Sequence, residues 1–255
     1  MNKQNINRLL ASNGLVLIFI AMLAFAVYAN ALGNQFTNWD DNSLIVNNKN
    51  IKSLNLKSVI ELFDYRSGGT YQPLRELSYA LDFYFFKLNP KGYIFHSIVL
   101  HAIASMFLYL SLLIIIPKLK GVDNYVKNNS RFPALFVTLI FVVHPINCEA
   151  VVWLSGRKYV LLSFFSFSSL YLYAKGTIGD KQNNFFLSLS IFCVILASLS
   201  SPFGVSLPVL FFAYDYSRET SCNPVAMIKK NFFRYLPFGL ICALILIFLF
   251  NFHIA

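Results

Sequence analysis

Residues 94–116 read IFHSIVLHAIASMFLYLSLLIII, and residues 14–33 read GLVLIFIAMLAFAVYANALG. Neither stretch contains Asp, Glu, Lys or Arg, and each reaches the roughly 20 residues that a helix needs to cross the hydrocarbon core of a bilayer. Segments 184–200 and 236–254 are two further candidates of the same kind. Between them lie shorter apolar pieces at 132–144, 148–174 and 203–215, interrupted by Pro133, Pro145, Pro202 and Pro208, which read as short or kinked helices in tight hairpins. The expectation is an all-α polytopic membrane protein with about seven transmembrane helices, a single transmembrane domain over residues 1–255.

Composition agrees with that reading. The 255 residues are 57% hydrophobic, 17% aromatic and only 13% charged, too little polar surface for a soluble domain of this length. The formal charge of +10 is spread between apolar stretches without a groove-sized basic cluster, so nucleic acid is not an expected partner. Cys148, Cys193, Cys222 and Cys242 are far apart and show no Cys-x-x-Cys spacing, which indicates neither a disulfide framework nor a metal site. Lys3 and Arg8 precede the first apolar run as they would in a signal peptide, but the run is long enough to be an uncleaved first span.

The basic residues set an orientation. Lys118, Lys120, Lys127 and Arg131 face only Asp123 in segment 117–132, and Arg218, Lys229, Lys230 and Arg234 face only Glu219 in segment 216–235. Basic loops resist translocation, so both belong in the cytoplasm with the N-terminus. Segment 34–93 carries seven basic and six acidic residues and belongs outside. Within it, Leu54, Val59, Leu62 and Phe63, and again Leu77, Leu81, Tyr84 and Phe85, recur at helical spacing. Two amphipathic helices along the membrane surface are expected, separated by a Ser67-Gly68-Gly69 turn. Threading the chain this way brings the His144–Glu149 turn, Arg157, Lys158 and the Ser200–Pro202 turn to the same outer face as loop 34–93.

That face holds the candidate functional residues. Asp40 and Asp41, directly after Trp39, suit a general base or cation ligand at the membrane surface; the alternative is a loop-start cap beside an interfacial Trp. Glu149, Trp153 and Arg157 follow at i, i+4 and i+8, and Arg157 with Lys158 offers what a lipid phosphate needs; the alternative is two cations reaching for the interface. His101 is an ionisable group inside a span, or a histidine bonded to a neighbouring carbonyl. It lies five residues from His96, a poor metal pair. Tyr71 and Arg75 flank Pro73 and suit a rigid outer-loop element that adds one cation; the alternative is an interfacial Tyr and a solvated Arg. Glycine-rich phosphate loops, nucleophile triads and zinc signatures are not found.

Several short motifs occur in a telling order: Phe36-Thr37-Asn38-Trp39-Asp40-Asp41, Tyr71-Gln72-Pro73-Leu74, Asn89-Pro90-Lys91-Gly92-Tyr93, Leu100-His101-Ala102, His144-Pro145 with Glu149-Ala150-Val151-Val152-Trp153, Gly156-Arg157-Lys158, and Val205-Ser206-Leu207-Pro208 leading to Asp215-Tyr216. In this order the chain resembles the membrane half of the transmembrane and tetratricopeptide-repeat-containing O-mannosyltransferases and their bacterial relatives, glycosyltransferases of the GT-C fold class. The resemblance implies transfer of a sugar from a polyprenyl-phosphate donor to an acceptor outside the cytoplasm, in a bacterial inner membrane and without a metal or other cofactor. It implies Asp40 or Asp41 as catalytic base, Arg157 and Lys158 at the lipid phosphate, and His144 and Glu149 lining the pocket.

The chain departs from the family pattern at Tyr159, Ser201, Asn147, Ile94 and Ser97, where polar residues of other types are usual, and these 255 residues do not include the family's later spans and soluble repeats. These departures frame the alternative, a catalytically inactive GT-C-derived structural subunit packed among other membrane proteins. The expected partners are therefore membrane lipids, a polyprenyl-phosphate sugar and other membrane subunits.

Overall fold

The structure, a computed structural model, describes residues 13–64, 71–179, 182–219 and 223–254, of which 249–254 by their backbone. Lys3, Arg8, the Ser67-Gly68-Gly69 turn and Cys222 lie outside these residues. The described chain is helical, with no strand among the described residues. The elements in order are α1 (Gly14–Tyr28), α2 (Leu56–Leu62), α3 (Pro73–Phe86), α4 (Pro90–Ile115), α5 (Asn124–Asn128), α6 (Arg131–Val143), α7 (Asn147–Val152), α8 (Arg157–Gly176), α9 (Asn184–Ser200), α10 (Leu207–Arg218), α11 (Pro224–Lys230) and α12 (Phe232–Ile254). Short 3-10 turns extend α1 to Gly33 and α4 to Lys118.

α4 and α8 form the centre: α1 and α6 pack on one side of α4, and α9 packs along α8. α4 starts where Pro90 takes the first helical position and the Asn89 side chain accepts from the Lys91 amide. Its small residues Ala102, Ala104, Ser105 and Ser111 are buried, which lets neighbouring backbones approach closely. α1 buries only Ile20, Ala24 and Tyr28, an i, i+4, i+8 stripe, while Leu15, Ile18, Phe19 and Met22 face outward. A helix apolar on its exposed side as well as its packed side is solvated by lipid rather than water.

Two helices, Gly14–Gly33 and Pro90–Lys118, are long and apolar enough to cross a membrane. A third qualifies if Pro224–Lys230 and Phe232–Phe248, which meet at 90°, count as one broken span. The apolar helices α6 and α9 have 13 and 17 residues, shorter than a straight crossing needs. Within the apolar piece 148–174, α7 ends at Val152, a 3-10 turn occupies Leu154–Gly156, and α8 starts at Arg157.

Loop 34–93 contains α2 and α3, and the orientation of α3 is informative. Its inward face is Arg75, Ser78, Tyr79 and Asp82, at i, i+3, i+4 and i+7, whereas Leu81, Tyr84 and Phe85 point outward. The helix buries a polar stripe, with Tyr79 and Ala80 in the core beside it, and turns Leu81, Tyr84 and Phe85 outward.

Glycine decides one close contact. A Cβ on Gly204 would overlap the Ser198 amide nitrogen and lie 2.6 Å from the Ala197 carbonyl carbon, both backbone atoms of α9. The 3-10 turn Pro202–Ser206 therefore seats on α9 only with glycine there. Gly204→Ala should lower stability by about 1–3 kcal/mol, read as a lower melting midpoint in detergent, whereas Gly239→Ala, inside α12 and with nothing within 4 Å of its Cβ, should leave the midpoint unchanged or raise it slightly.

Candidate functional site

The site is organised by four consecutive residues, Leu154 to Arg157, each tied to an earlier part of the chain. The Leu154 carbonyl accepts from the Tyr79 hydroxyl at 2.7 Å. Ser155 donates to Asp41 Oδ1 from its amide at 3.0 Å and from its hydroxyl at 2.5 Å. Gly156 allows the turn to close on α7, since a Cβ there would lie 2.6 Å from the Glu149 carbonyl oxygen. Arg157 then enters a buried network of its own. Burial pushes the Tyr79 phenol well above its ordinary pKa, so that hydroxyl serves as a donor throughout the physiological range.

Asp41 is 1% exposed. Its second oxygen accepts from the Thr37 amide at 2.8 Å and the Thr37 hydroxyl at 2.9 Å, so four donors surround one carboxylate. Asp40 is half-buried, and its carboxylate has no hydrogen-bond or ion-pair partner among the described residues.

Beside Asp41 opens a cleft of about 1000 Å³. Val27, Tyr28 and Asn30 at the end of α1 form one wall, and Cys148, Val152 and Trp153 from the α7 region form another. Asn34, Gln35, Thr37 and Trp39 line its polar end around Asp41. Most of the wall is apolar, and neither Arg nor Lys is among its described lining residues.

Arg157 differs from its expected role. Its side chain is fully buried, with Nη2 donating to Asp82 Oδ2 at 2.8 Å and the Tyr93 carbonyl at 2.7 Å, and Nε donating to the Ser97 hydroxyl at 2.9 Å. Nη1 lies 3.1 Å from His96 Nδ1, whose ring also pairs with Asp82 Oδ1 at 2.5 Å. The guanidinium sits over the Tyr79 ring, 5.7 Å from its centroid. It is turned into the bundle, where a carboxylate, not a lipid phosphate, neutralises it. Arg75 is likewise 4% exposed and bonded to Glu76, which also accepts from Asn48. His101 is 2% exposed, between the Tyr28 and Phe141 rings, with Nε2 3.4 Å from the Val142 carbonyl.

The remaining candidates stay near the surface at the same end of the bundle. Lys158 is half-buried over the Tyr159 ring. Glu149 is exposed in the first turn of α7. His144 is exposed in a separate recess, where Nδ1 accepts from the Ile146 amide. The Tyr71 hydroxyl reaches the Phe63 carbonyl at 3.4 Å. The structure thus joins Asp41 to the cleft and Arg157 to its neighbours, but leaves Asp40, Lys158, His144 and Glu149 out of the described cleft lining. Sequence reading overlooked Asp82, Ser155 and Thr37. The signal for Asp82 was present: with Arg75, Ser78 and Tyr79 it makes a polar helical stripe. No group of three or more His, Cys, Asp or Glu residues among the described residues is placed to hold a metal ion.

The fold and the apolar helices define an α-helical membrane protein. In sequence it is similar to human Protein O-mannosyl-transferase TMTC3, 26% identical across 81% of this chain and 23% of that protein. Similarity extends to the Caenorhabditis elegans Protein O-mannosyl-transferase F38B6.6, at 26% across 91% of the chain and 31% of the relative, and to mouse Protein O-mannosyl-transferase TMTC4, at 27% across 85% and 31%. The chain spans between about a fifth and a third of the length of these relatives. No family model matches it, and no solved structure does.

Proposed function

We propose that the chain is a GT-C-type, glycosyltransferase-like membrane protein that moves a sugar from a polyprenyl-phosphate donor to an acceptor outside the cytoplasm. The observation that carries this reading is the cleft: apolar walls rising from the end of α1 and the α7 region, with a carboxylate and several amide and hydroxyl side chains at one end, in a chain related to proteins named O-mannosyl-transferases. An apolar wall suits a prenyl chain and the polar end suits a sugar. The reading keeps about seven spans, a cytoplasmic N-terminus and loop 34–93 on the outer face of a bacterial inner membrane.

In this scheme Asp41 positions and Asp40 acts. Asp41 is occupied by Thr37 and Ser155 and fixes the turn; Asp40, its neighbour in the chain just outside the described lining of the cleft and without a partner among the described residues, takes the proton from the acceptor hydroxyl. The acceptor oxygen forms a bond to the sugar C1, the bond from C1 to the phosphate oxygen breaks, and the polyprenyl phosphate leaves as an anion. Lys158, half-buried and outside the described cleft lining, is the cation assigned to that phosphate, while Arg157 braces the helix start beside it.

A second reading, an inactive structural subunit that packs against other membrane proteins, is favoured by the saturation of Asp41 and the enclosure of Arg157. One assay separates the two. Membranes carrying the protein in a Cys222→Ser background are given a labelled polyprenyl-phosphate mannose and a hydroxyl acceptor peptide. For an enzyme, Asp40→Asn should reduce transfer about 10²-fold or more, and a bulky maleimide on Cys148, exposed and in the cleft wall while Cys193 and Cys242 are buried, should block it. Transfer no greater than that of Asp40→Asn, from protein that melts normally, establishes the structural reading.

A further inference from the structure

α8 runs from Arg157 at the cleft end to Tyr173 at the other, and there a second polar centre is built. Asp215 Oδ2 accepts from the Tyr173 hydroxyl at 2.6 Å, the Tyr235 hydroxyl at 2.7 Å and Arg234 Nη1 at 2.9 Å. Arg218 donates to the Thr177 carbonyl and hydroxyl at 3.0 and 3.1 Å. Lys230 pairs with Glu219 at 2.8 Å. Thr177, Asp215, Arg218, Glu219, Lys230 and Arg234 line a recess of about 340 Å³. Its wall has three cations, Arg218, Lys230 and Arg234, and two acids, Asp215 and Glu219. Lys120 also acts on Glu219, and Lys229 is exposed beside Lys230, so positive charge exceeds negative.

α11 forms the rim. It meets α12 at 90° and presents three different faces. Met227 is buried; Val225, Ile228 and, just beyond the helix, Phe232 are exposed at i, i+3 and i+7; Lys229 and Lys230 are exposed beside them. A short helix perpendicular to an apolar one, with an apolar stripe next to lysines, matches a segment lying in the plane of a membrane surface.

We infer that this recess and the α11 rim bind the headgroup of an anionic phospholipid, with Lys229, Lys230 and Arg218 meeting the phosphate and the acyl chains lying along Val225, Ile228 and Phe232. Charge complementarity identifies the occupant: the excess cations sit beside an exposed apolar stripe, which a soluble anion would not use. Glu219 competes with the phosphate for Lys230, so the site carries its own attenuator. The site lies at the far end of α8 from the cleft and is independent of the proposed transfer reaction.

The test is melting of the full chain in uncharged detergent with phosphatidylglycerol, phosphatidylcholine or inorganic phosphate added. Phosphatidylglycerol should raise the midpoint well above the other two. Lys229→Gln with Lys230→Gln, both at exposed positions, should weaken its apparent affinity roughly tenfold. Glu219→Gln should strengthen it. Equal stabilisation by phosphatidylcholine, or a Glu219→Gln variant that binds more weakly, overturns the inference. Stabilisation by inorganic phosphate as large as by phosphatidylglycerol overturns it in favour of a free-anion site.

Discussion

Asp82→Ala is expected to lower stability by about 3–5 kcal/mol, because it strands Arg157, fully buried, without its carboxylate. For a chain of this size that corresponds to a drop of roughly 10 °C in melting midpoint. Arg157→Ala should do comparable damage from the other side, leaving Asp82, 2% exposed, with only His96 as partner among the described residues. The Tyr93 carbonyl and Ser97 hydroxyl lose a donor in the same step. Pairing the changes as Asp82→Leu with Arg157→Met should cost less than the sum of the single losses, since an apolar pair carries no uncompensated charge. Tryptophan-fluorescence melts in one detergent decide the matter: a single variant within 1 kcal/mol of the parent would mean that the network contributes little.

The second large effect belongs to Asp41. Asp41→Asn exchanges one acceptor oxygen for an amide that faces donors on either side, the Thr37 amide and hydroxyl or those of Ser155. At least one buried N–H is left without an acceptor, at a cost of about 1–3 kcal/mol, and the turn before Asp41 loses its tie to the Leu154–Gly156 turn. Asp40→Asn should fall within about 0.5 kcal/mol of the parent. The two neighbours therefore separate by readout: one change lowers the melting midpoint, the other lowers transfer with the midpoint intact. A melt in which both behave alike removes the division of labour.

Much of this architecture is legible in the sequence because lipid makes apolar runs long and conspicuous. Residues 14–33 and 94–116 need only be counted. The boundaries inside 148–174 are not, since the break at Trp153–Gly156 depends on Tyr79 and Asp41 arriving from elsewhere. The loop helix α3 shows a subtler limit. Leu77, Leu81, Tyr84 and Phe85 mark it as helical, but periodicity gives no sign of which face packs, and the rule learned from water puts the apolar side inward. Here the packed side is Arg75, Ser78, Tyr79 and Asp82. The same inversion explains why Arg157 reads as a surface cation and is found enclosed: its partner Asp82 is 75 residues away and belongs to a stripe that looks solvent-facing. Asp41 was singled out for its charge, yet the four donors that define its environment are a Thr four residues back and a Ser more than a hundred residues on.

The Leu154–Arg157 turn also sets an order of events. Every side chain and carbonyl that it holds in the networks of Asp41, Tyr79 and Arg157 comes earlier in the chain: Asp41, Tyr79, Asp82, Tyr93, His96 and Ser97. When the ribosome has made the first hundred residues, these groups exist and their clasp does not. They must stay hydrated, or be shielded by another protein, until the hairpin carrying residues 154–157 arrives. Assembly of this end of the molecule is therefore a late closure, and the interval before it is when the nascent protein is open to misassembly or to capture by quality control.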